Sequence, residues 1–440
     1  MEVLKEILEE LKKAVIYQIF LRSFTKEGTL KAAEEMLESV RDLGVDIIYL
    51  CSLCEADDDG DERFLSKRQI LSKTGNPKNP YRVKDYFKID EEYGTDDDLR
   101  DFVRKAHALG MKVLLDLVYY HCGPKAVIMD MDKEFIKRDE NGEPLCGEWK
   151  FPMLNYDSPK LREYMLENME YFIREFDVDG YRTDVGDMVP MDFWEEGRRR
   201  IEAIKPDVIM LNEGELVRGL DYAFDFIYDF GWAQYLAAPF EGRETTHYVH
   251  RYWDDRREGE KNDRALKSYE NHDIANDDGE NRTEKRVGHG GVEAMTVLNF
   301  TMNGIPFIYN GNEVCDANRH SLWSNRFYGG KEFINWRNAL TSYGMRRRHI
   351  IKELVFLRKS TPELYDGTTR WLDNSEYDRV FSFLRGENIL VVVNAAPESV
   401  TVKINTHCGT PLMKKDTFYL EENGKLKLSM LAHGYIIMRL

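Results

Sequence analysis

Short apolar runs recur along the first 360 residues, and most are followed by a longer segment whose apolar positions have helical spacing. Such runs are typical of strands buried on both faces of a parallel sheet. The predicted strands are AVIYQIFLRSF (14–24), DIIYL (46–50), KVLLDLVYYH (112–121), VDGYRTDVGD (178–187), VIML (208–211), DYAFDF (221–226), ALKSY (265–269) and IPFIY (305–309). The predicted helices cover residues 1–13, 31–43, 95–109, 159–176, 190–204, 233–256, 291–302 and 345–359. Eight such alternations predict an α/β fold, a closed (β/α)₈ TIM barrel.

Two polar segments interrupt this rhythm, and the pattern changes near the end of the chain. Residues 51–94 form a long polar loop, and a short excursion over residues 122–157 follows the third strand. After Leu364, short alternating runs such as VFSFL (380–384) and VTVKI (400–404) are separated by turn residues, as in antiparallel sheets. We therefore predict a catalytic barrel over residues 1–364, with an insertion at 122–157, and a C-terminal β-sandwich domain over residues 365–440.

Charge and composition exclude several classes of partner. The net charge is −17 at pH 7, whereas binding to a phosphate backbone needs clustered Lys and Arg, so we expect no nucleic-acid partner. No run of about 18 apolar residues is present, so we expect no membrane partner. Six sparse cysteines and an N-terminus without a signal-peptide pattern predict a cytoplasmic protein with reduced thiols. The oligomeric state is left open.

Polar side chains are concentrated where the predicted barrel strands end, which is where barrels of this kind carry their active sites. These residues are Asp116 and His121 after strand three, Arg182 and Asp184 at strand four, Asn212, Glu213 and Glu215 after strand five, and Glu270, Asn271, His272 and Asp273 after strand seven. A single carboxylate at a strand end is as often a helix cap or a structural ion pair. Three of these carboxylates come from three different strands and, together with an arginine and two histidines, they indicate catalysis.

Arg182 and Asp184 form the most informative pair in this set. They are two residues apart in a strand, so their side chains project from the same face. A guanidinium beside a carboxylate favours the ionised form of the carboxylate. We therefore expect Asp184 to be anionic, which suits nucleophilic attack better than acid catalysis.

Four motifs give the chain a resemblance to a known family. LLDLVYYH, DGYRTD, the Glu that ends VIMLNE, and YENHD occur in the order of the four signatures of the α-amylase family of glycoside hydrolases, which the chain resembles over residues 14–440. NPYRVKDY and GIPFIYNGNE extend the match. The resemblance implies that Asp184 is the nucleophile, Glu213 the general acid and base, and Asp273 the third carboxylate.

The resemblance also implies further roles around the sugar. The residues expected to line the sugar pocket are Tyr81, His121, Arg182 and His272. Asp116 is expected to hold Arg182 rather than to touch substrate. One ambiguity is local: Glu215 lies two residues after Glu213 and also fits the signature, but Glu213 has the spacing from Pro206 that the family usually shows.

The chain departs from the family pattern at two places. Tyr120 stands where the family commonly has an asparagine that binds calcium, and tyrosine is a poor calcium ligand. We therefore expect no metal at that position and no cofactor. Asp187 and Met188 replace the Lys-His pair that commonly follows the nucleophile, so binding of the leaving-group sugar is expected to differ.

The implied function is that of a retaining glycoside hydrolase. It would cleave α-glucosidic bonds in maltodextrin-like α-glucan oligosaccharides through a covalent glycosyl-enzyme intermediate. An alternative is a transglycosidase, isomerase or phosphorylase that uses the same intermediate with another acceptor. A non-catalytic scaffold is less favoured, because all three carboxylates are present.

Overall fold

The computed structural model describes residues 9–255, 262–275, 282–329 and 332–440. The strands within these ranges, numbered in chain order, are β1 (Ile16–Ile19), β2 (Ile47–Leu50), β3 (Cys54–Ala56), β4 (Val83–Ile89), β5 (Lys112–Leu117), β6 (Gly180–Thr183), β7 (Ile209–Asn212), β8 (Phe226–Ile227), β9 (Leu266–Lys267), β10 (Ile305–Tyr309), β11 (Thr369–Trp371), β12 (Val380–Arg385), β13 (Ile389–Asn394), β14 (Val400–Ile404), β15 (Thr410–Glu422) and β16 (Lys425–Arg439).

Eight parallel strands form the barrel, in the order β8-β7-β6-β5-β2-β1-β10-β9. A parallel bridge between Ile227 of β8 and Ala265, just before β9, joins the two ends of this sheet. The strands are buried almost throughout, because helices cover the outer face and side chains fill the interior. The predicted (β/α)₈ barrel is confirmed.

Helices surround the barrel and cap its ends. The α-helices are Leu21–Phe24, Leu30–Glu35, Leu37–Arg41, Lys67–Ser72, Asp96–Ala108, Ile128–Met131, Pro159–Phe176, Met191–Glu202, Phe230–Phe240, Thr246–Asp255, Thr283–Thr301, Ser342–Ser360 and Pro362–Tyr365. Residues 9–13 are also helical, and the rest of the predicted helix 1–13 lies outside the described residues. Among the described helices, none combines the length and apolar composition needed to cross a membrane.

Several predicted elements are placed differently in the structure. The last residues of the predicted strand 14–24 form the helix Leu21–Phe24, and the predicted helix 31–43 is two helices, Leu30–Glu35 and Leu37–Arg41. The sixth barrel strand was predicted at 221–226, but it is the pair Phe226–Ile227, because Val217–Asp221 forms a 3₁₀ helix. The predicted helix 233–256 is two helices, Phe230–Phe240 and Thr246–Asp255, and its final residue lies outside the described ranges. The break follows from Gly242, whose φ of +68° is left-handed and ends the first helix.

The two polar segments carry structure of their own. Within residues 51–94, β3 and β4 pair as an antiparallel ribbon, and the helix Lys67–Ser72 lies between them in sequence. The excursion at 122–157 is held by isolated bridges, among them one between His121 and Met153 and one between Ile136 and Leu154. Both segments therefore present fixed side chains above the carboxyl ends of the barrel strands.

The C-terminal strands form one antiparallel sheet in the order β11-β12-β13-β16-β14, with β15 pairing β16. The predicted antiparallel C-terminal domain is confirmed, and its β-sandwich arrangement stays a prediction. The 15-residue strand β16 pairs with β14 along its first half and with β13 along its second half. One face of these strands contributes to a small core that includes Leu390, Val402 and Leu428. The opposite face, with Phe381 and Val391, joins the main core of the barrel.

Candidate active site

A cavity of about 400 Å³ is formed by residues that follow the barrel strands. The sequence-predicted residues that line it are Tyr81, His121, Asp184, Glu213, His272 and Asp273. Asp116 and Arg182 are fully enclosed and do not line the cavity. The structure thus brings the residues predicted for catalysis and sugar binding to one place, with Arg182 behind them rather than at the surface.

Arg182 is the centre of the charge network. Its Nη1 lies 2.7 Å from Asp116 Oδ1 and 3.1 Å from Asp184 Oδ1, and its Nη2 lies 2.6 Å from Glu213 Oε1. Asp116 is itself held by the hydroxyl of Tyr49, which donates to Asp116 Oδ2 at 2.7 Å. One guanidinium therefore serves three buried carboxylates, and it orients Asp184 and Glu213 together.

The chain turns sharply after Asp184, and this turn joins the two proposed reacting carboxylates. Val185 has a φ of 39°, an unfavourable conformation for a β-branched residue and one that is concentrated at functional sites. In this conformation the Val185 N–H donates to Glu213 Oε2 at 2.8 Å. The Glu213 N–H donates to the carbonyl of Thr183 at 3.0 Å. The pairing of β6 with β7 thus fixes the positions of both carboxylates.

Burial shifts the protonation of this pair. It raises the pKa of Glu213 to about 7, and the charge of Asp273 acts in the same direction, against the opposing Arg182. Burial and the charge of Glu213 also raise the pKa of Asp184 well above its usual range. The sequence predicts that Arg182 keeps Asp184 anionic; in the structure Arg182 does lower the pKa of Asp184, but it is shared with two other carboxylates, and burial and Glu213 outweigh it. Asp184 and Glu213 titrate as a pair that retains one proton near neutral pH.

Asp273 lines the same cavity and keeps its charge. Its side chain is 38% exposed, with Oδ1 3.1 Å from Arg68 Nη1 and Oδ2 3.3 Å from His272 Nε2. Burial acts to raise the pKa of Asp273, but the neighbouring cationic groups outweigh it and lower the pKa. Burial also lowers the pKa of His272, so this ring is neutral at pH 7 and Arg68 is the adjacent cation.

Tyr81, His121 and His272 form a hydrogen-bonded wall. The Tyr81 hydroxyl lies 2.9 Å from Asp116 Oδ2 and 2.8 Å from His272 Nε2, and the Tyr81 ring stacks on His272 at 5.3 Å. His121 Nε2 lies 2.8 Å from the carbonyl of Tyr81. Its Nδ1 is buried without a hydrogen-bond partner. Gln18 holds His272 from behind through a contact of 2.7 Å to Nδ1.

The structure separates Glu213 from Glu215. Glu213 lines the cavity and is almost fully buried. Glu215 is exposed, is not among the lining residues, and accepts a hydrogen bond from the N–H of Phe230 at 3.1 Å. Only Glu213 therefore shares the cavity and the guanidinium with Asp184.

The sequence carries a family signal that matches this geometry. A sequence model for "Alpha amylase, catalytic domain" matches residues 16–140 and 146–353, more than half of the chain. The chain belongs to the alpha-amylase family. The four signature motifs supply Asp116, His121, Arg182, Asp184, Glu213, His272 and Asp273, and all of these lie at or directly behind the cavity.

Relatives within the alpha-amylase family are longer than this chain. A cyclomaltodextrinase of Thermoanaerobacter pseudethanolicus is 26% identical over 427 residues, covering 86% of this chain and 65% of the relative. An intracellular maltogenic amylase of Bacillus subtilis is 26% identical over 392 residues, covering 83% of this chain and 61% of the relative. The chain thus spans somewhat less than two thirds of their length. The crystal structure of a noncanonic maltogenic alpha-amylase from Thermotoga neapolitana has the same fold, with a TM-score of 0.80, 24% identity, and coverage of 98% of this chain and 99% of that one.

Several lining residues were missed by the sequence analysis. Arg68 comes from the helix Lys67–Ser72, Trp149 and Phe151 from the excursion, and Trp323 from the segment after β10. Trp149 and Phe151 lie against His121, with ring distances of 5.6 Å and 5.0 Å. The only signal in the sequence was their position in long polar segments, which are frequently functional. Which side chain of a loop turns into a cavity depends on the path of the loop.

The position that commonly binds calcium in the alpha-amylase family does not fit a calcium ion in this chain. The Tyr120 hydroxyl lies 3.1 Å from Met153 Sδ, and its ring packs edge-on against Trp149 at 6.4 Å. The carbonyl of His121 already accepts a hydrogen bond from Tyr86 at 2.9 Å. Calcium requires six to eight oxygen ligands, whereas the Tyr120 side chain contacts a thioether and an indole ring.

Proposed function

We propose that the protein is a retaining glycoside hydrolase that cleaves α-glucosidic bonds in maltodextrin-like oligosaccharides. The observation that supports this best is the convergence of Asp184, Glu213 and Asp273 on one cavity, with Asp184 and Glu213 bound to the same guanidinium. Retaining enzymes need two carboxyl groups about 5 to 5.5 Å apart, whereas inverting enzymes leave room for a water between them. Two carboxylates that share one arginine favour the close spacing.

The first step breaks the glycosidic bond. A carboxylate oxygen of Asp184 attacks the anomeric carbon, while the proton held by the pair moves from Glu213 to the departing oxygen. The sugar becomes an ester of Asp184, and the rest of the substrate leaves as an alcohol. The raised pKa of Glu213, about 7, keeps the proton available at neutral pH.

The second step releases the sugar. Glu213, now ionised, takes a proton from a water molecule, and the hydroxide oxygen attacks the anomeric carbon and displaces Asp184. In both steps positive charge develops on the sugar ring. Asp273 is anionic, because its pKa is lowered, and its charge opposes that developing charge.

The substrate class is supported by the cavity and by the relatives. A volume of about 400 Å³ is in the range of small-ligand sites, and Trp149 and Trp323 supply aromatic faces beside the carboxylates. The two relatives are named cyclomaltodextrinase and intracellular maltogenic amylase. Both names concern α-glucans. The second name also supports our proposal that this protein acts in the cytoplasm.

Three substitutions test this proposal. Asp184→Asn and Glu213→Gln should each lower kcat on maltotriose by about 10³-fold or more, because they remove the nucleophile and the acid. Glu215→Gln is the matched control: it changes a glutamate two residues away that is exposed and outside the cavity, and it should keep activity within about twofold.

Product analysis completes the test. The first product released should be the α-anomer, and NMR spectra recorded before mutarotation would show it. Glu213→Gln treated with an α-glycosyl fluoride should accumulate a covalent adduct that is visible by mass spectrometry. Release of the β-anomer, or undiminished turnover by Asp184→Asn, would contradict the proposal. Oligosaccharides longer than the substrate would indicate transfer to a sugar.

We also propose that activity needs no calcium, since Tyr120, which stands at the position that commonly binds calcium in the family, contacts a thioether and an indole ring. Incubation with EDTA followed by gel filtration should leave both kcat and the melting temperature unchanged. A loss of either that added calcium restores would contradict this.

A further inference from the structure

Asp187 replaces the first residue of the Lys-His pair that commonly follows the nucleophile in the family, and it makes a distinctive set of contacts. Its Oδ1 accepts a hydrogen bond from Asn212 Nδ2 at 2.7 Å. Its Oδ2 accepts from the N–H of Glu215 at 2.9 Å and from the N–H of Leu216 at 3.3 Å. All three donors belong to the segment that begins at the end of β7 and carries Glu213. Asp187 therefore binds this segment on both sides of Glu213.

The packing between the two segments is as tight as the hydrogen bonding. A Cβ placed on Gly214 would lie 2.2 Å from the carboxyl carbon of Asp187. Any residue larger than glycine at this position would push the carboxylate and the loop apart. Gly214 lies directly after Glu213, so the close approach of Asp187 is possible only because the residue beside Glu213 has no side chain.

The contacts connect Asp187 to Glu213 by two routes. Asn212 directly precedes Glu213, and its Oδ1 also accepts from the Thr183 hydroxyl at 3.1 Å. On the other side, the N–H of Tyr228 donates to the carbonyl of Gly214 at 3.0 Å. The Glu213 backbone is thus held at both neighbours, while its carboxyl group meets Arg182 and the N–H of Val185. A carboxylate with two acceptor atoms is well suited to gather several N–H donors from one loop.

We infer that Asp187 is a positioning residue for the general acid and base, Glu213. This rests on the proposed function, because it assigns a role within that reaction. Asp187 does not line the cavity of the three catalytic carboxylates. It acts by fixing the loop so that the carboxyl group of Glu213 meets the glycosidic oxygen, and catalysis is sensitive to displacements of about 1 Å.

The test compares two substrates that differ in their need for a proton. Maltotriose has a poor leaving group and requires protonation by Glu213, whereas fluoride leaves from an α-maltosyl fluoride with little acid assistance. Because both substrates share the second step, the comparison uses kcat/KM, which reports the first step. Asp187→Ala should lower kcat/KM on maltotriose by about 30-fold to 100-fold and on the fluoride by less than about threefold. Asp187→Asn keeps the shape and one acceptor oxygen, so it should recover part of the loss.

Gly214→Ala provides an independent variant that leaves Asp187 in place. Its methyl group should displace the loop and give the same selective loss on maltotriose. Asp192→Asn is the matched control. Asp192 also follows the nucleophile in sequence, but it is exposed and pairs with Arg162 at 2.7 Å, so both substrates should react as in the wild type.

Several results would overturn the inference. One is an equal loss of kcat/KM on both substrates in folded Asp187→Ala and Gly214→Ala, and another is an unchanged kcat/KM on maltotriose. The failure of the proposed function is distinguishable, because the wild-type protein would then turn over neither substrate. If Asp187→Ala does not fold, a wild-type rate ratio for Asp187→Asn and Gly214→Ala would also overturn the inference.

Discussion

Arg182 contacts both members of the proposed catalytic pair: its Nη1 lies 3.1 Å from Asp184 Oδ1, and its Nη2 lies 2.6 Å from Glu213 Oε1. The same Nη1 lies 2.7 Å from Asp116 Oδ1. A single positive charge is therefore divided among three buried carboxylates, and their own repulsion keeps one proton on the pair. Geometry and protonation of the site both depend on this side chain.

Arg182→Lys should inactivate the enzyme. Lysine keeps the charge but replaces a planar fork by a point charge, so one ammonium group would have to replace contacts made by two nitrogens. We expect kcat/KM to fall by about 10²-fold to 10³-fold. Stability should also fall, by about 3 kcal/mol, because a buried carboxylate loses its partner. Arg174→Lys is the control, because Arg174 is exposed and pairs with Glu170 on its own helix. Activity close to the wild type in Arg182→Lys would contradict this view of the site.

The activity should depend on pH in a bell-shaped manner. At low pH both Asp184 and Glu213 are protonated and the nucleophile is lost, whereas above pH 7 Glu213 loses the proton that it must donate. Because burial raises the pKa of Glu213 to about 7, the descending limb of kcat/KM should lie near that value. With a glycosyl fluoride, which needs no acid, this limb should disappear. A descending limb shared by both substrates would assign it to another group.

Arg68→Met tests the neighbour of the third carboxylate. Arg68 is one of the groups that lower the pKa of Asp273, so its removal should raise that pKa. Asp273 would then lose its charge at a higher pH as the pH falls, and the titration of its carboxyl carbon, followed by NMR, should move to higher pH. The pair is 46% and 38% exposed, so its loss should cost less than about 1 kcal/mol of stability. Arg63→Met, an exposed arginine paired with Asp61, should leave the titration of Asp273 unchanged. An unshifted titration of Asp273 in Arg68→Met would contradict the assignment.

Arg358 should matter for stability rather than for catalysis. It is fully buried and donates to four backbone carbonyls, those of Lys12, Phe300, Gly304 and Leu364. Arg358→Met would leave these acceptors without a donor, which should lower the free energy of unfolding by about 3 kcal/mol or more. The exposed Arg370→Met should change it by less than about 0.5 kcal/mol. Melting temperatures followed by circular dichroism would check this, and equal values for the two variants would contradict it.

The hydrophobic pattern of the sequence was sufficient to predict the barrel. Each buried parallel strand must be apolar on both faces, so runs such as DIIYL and IPFIY marked the strands, and the helices between them set their order. The weakest prediction was the sixth strand, because only two residues of β8 pair with β7 and so short a run leaves almost no periodic signal. The sequence also did not predict that β16 has two different partner strands along its length, since strand pairing depends on contacts between distant segments.

The sequence likewise placed the carboxylates at one end of the barrel, because polar residues after parallel strands must lie at the same edge. It did not decide how charge is divided among them. Only the tertiary structure gives Arg182 three partners, turns Glu213 but not Glu215 into the cavity, and brings Arg68 to Asp273 from 205 residues away. Protonation depends on burial and on distances of a few ångströms, and these are set by loops whose paths no local periodicity encodes.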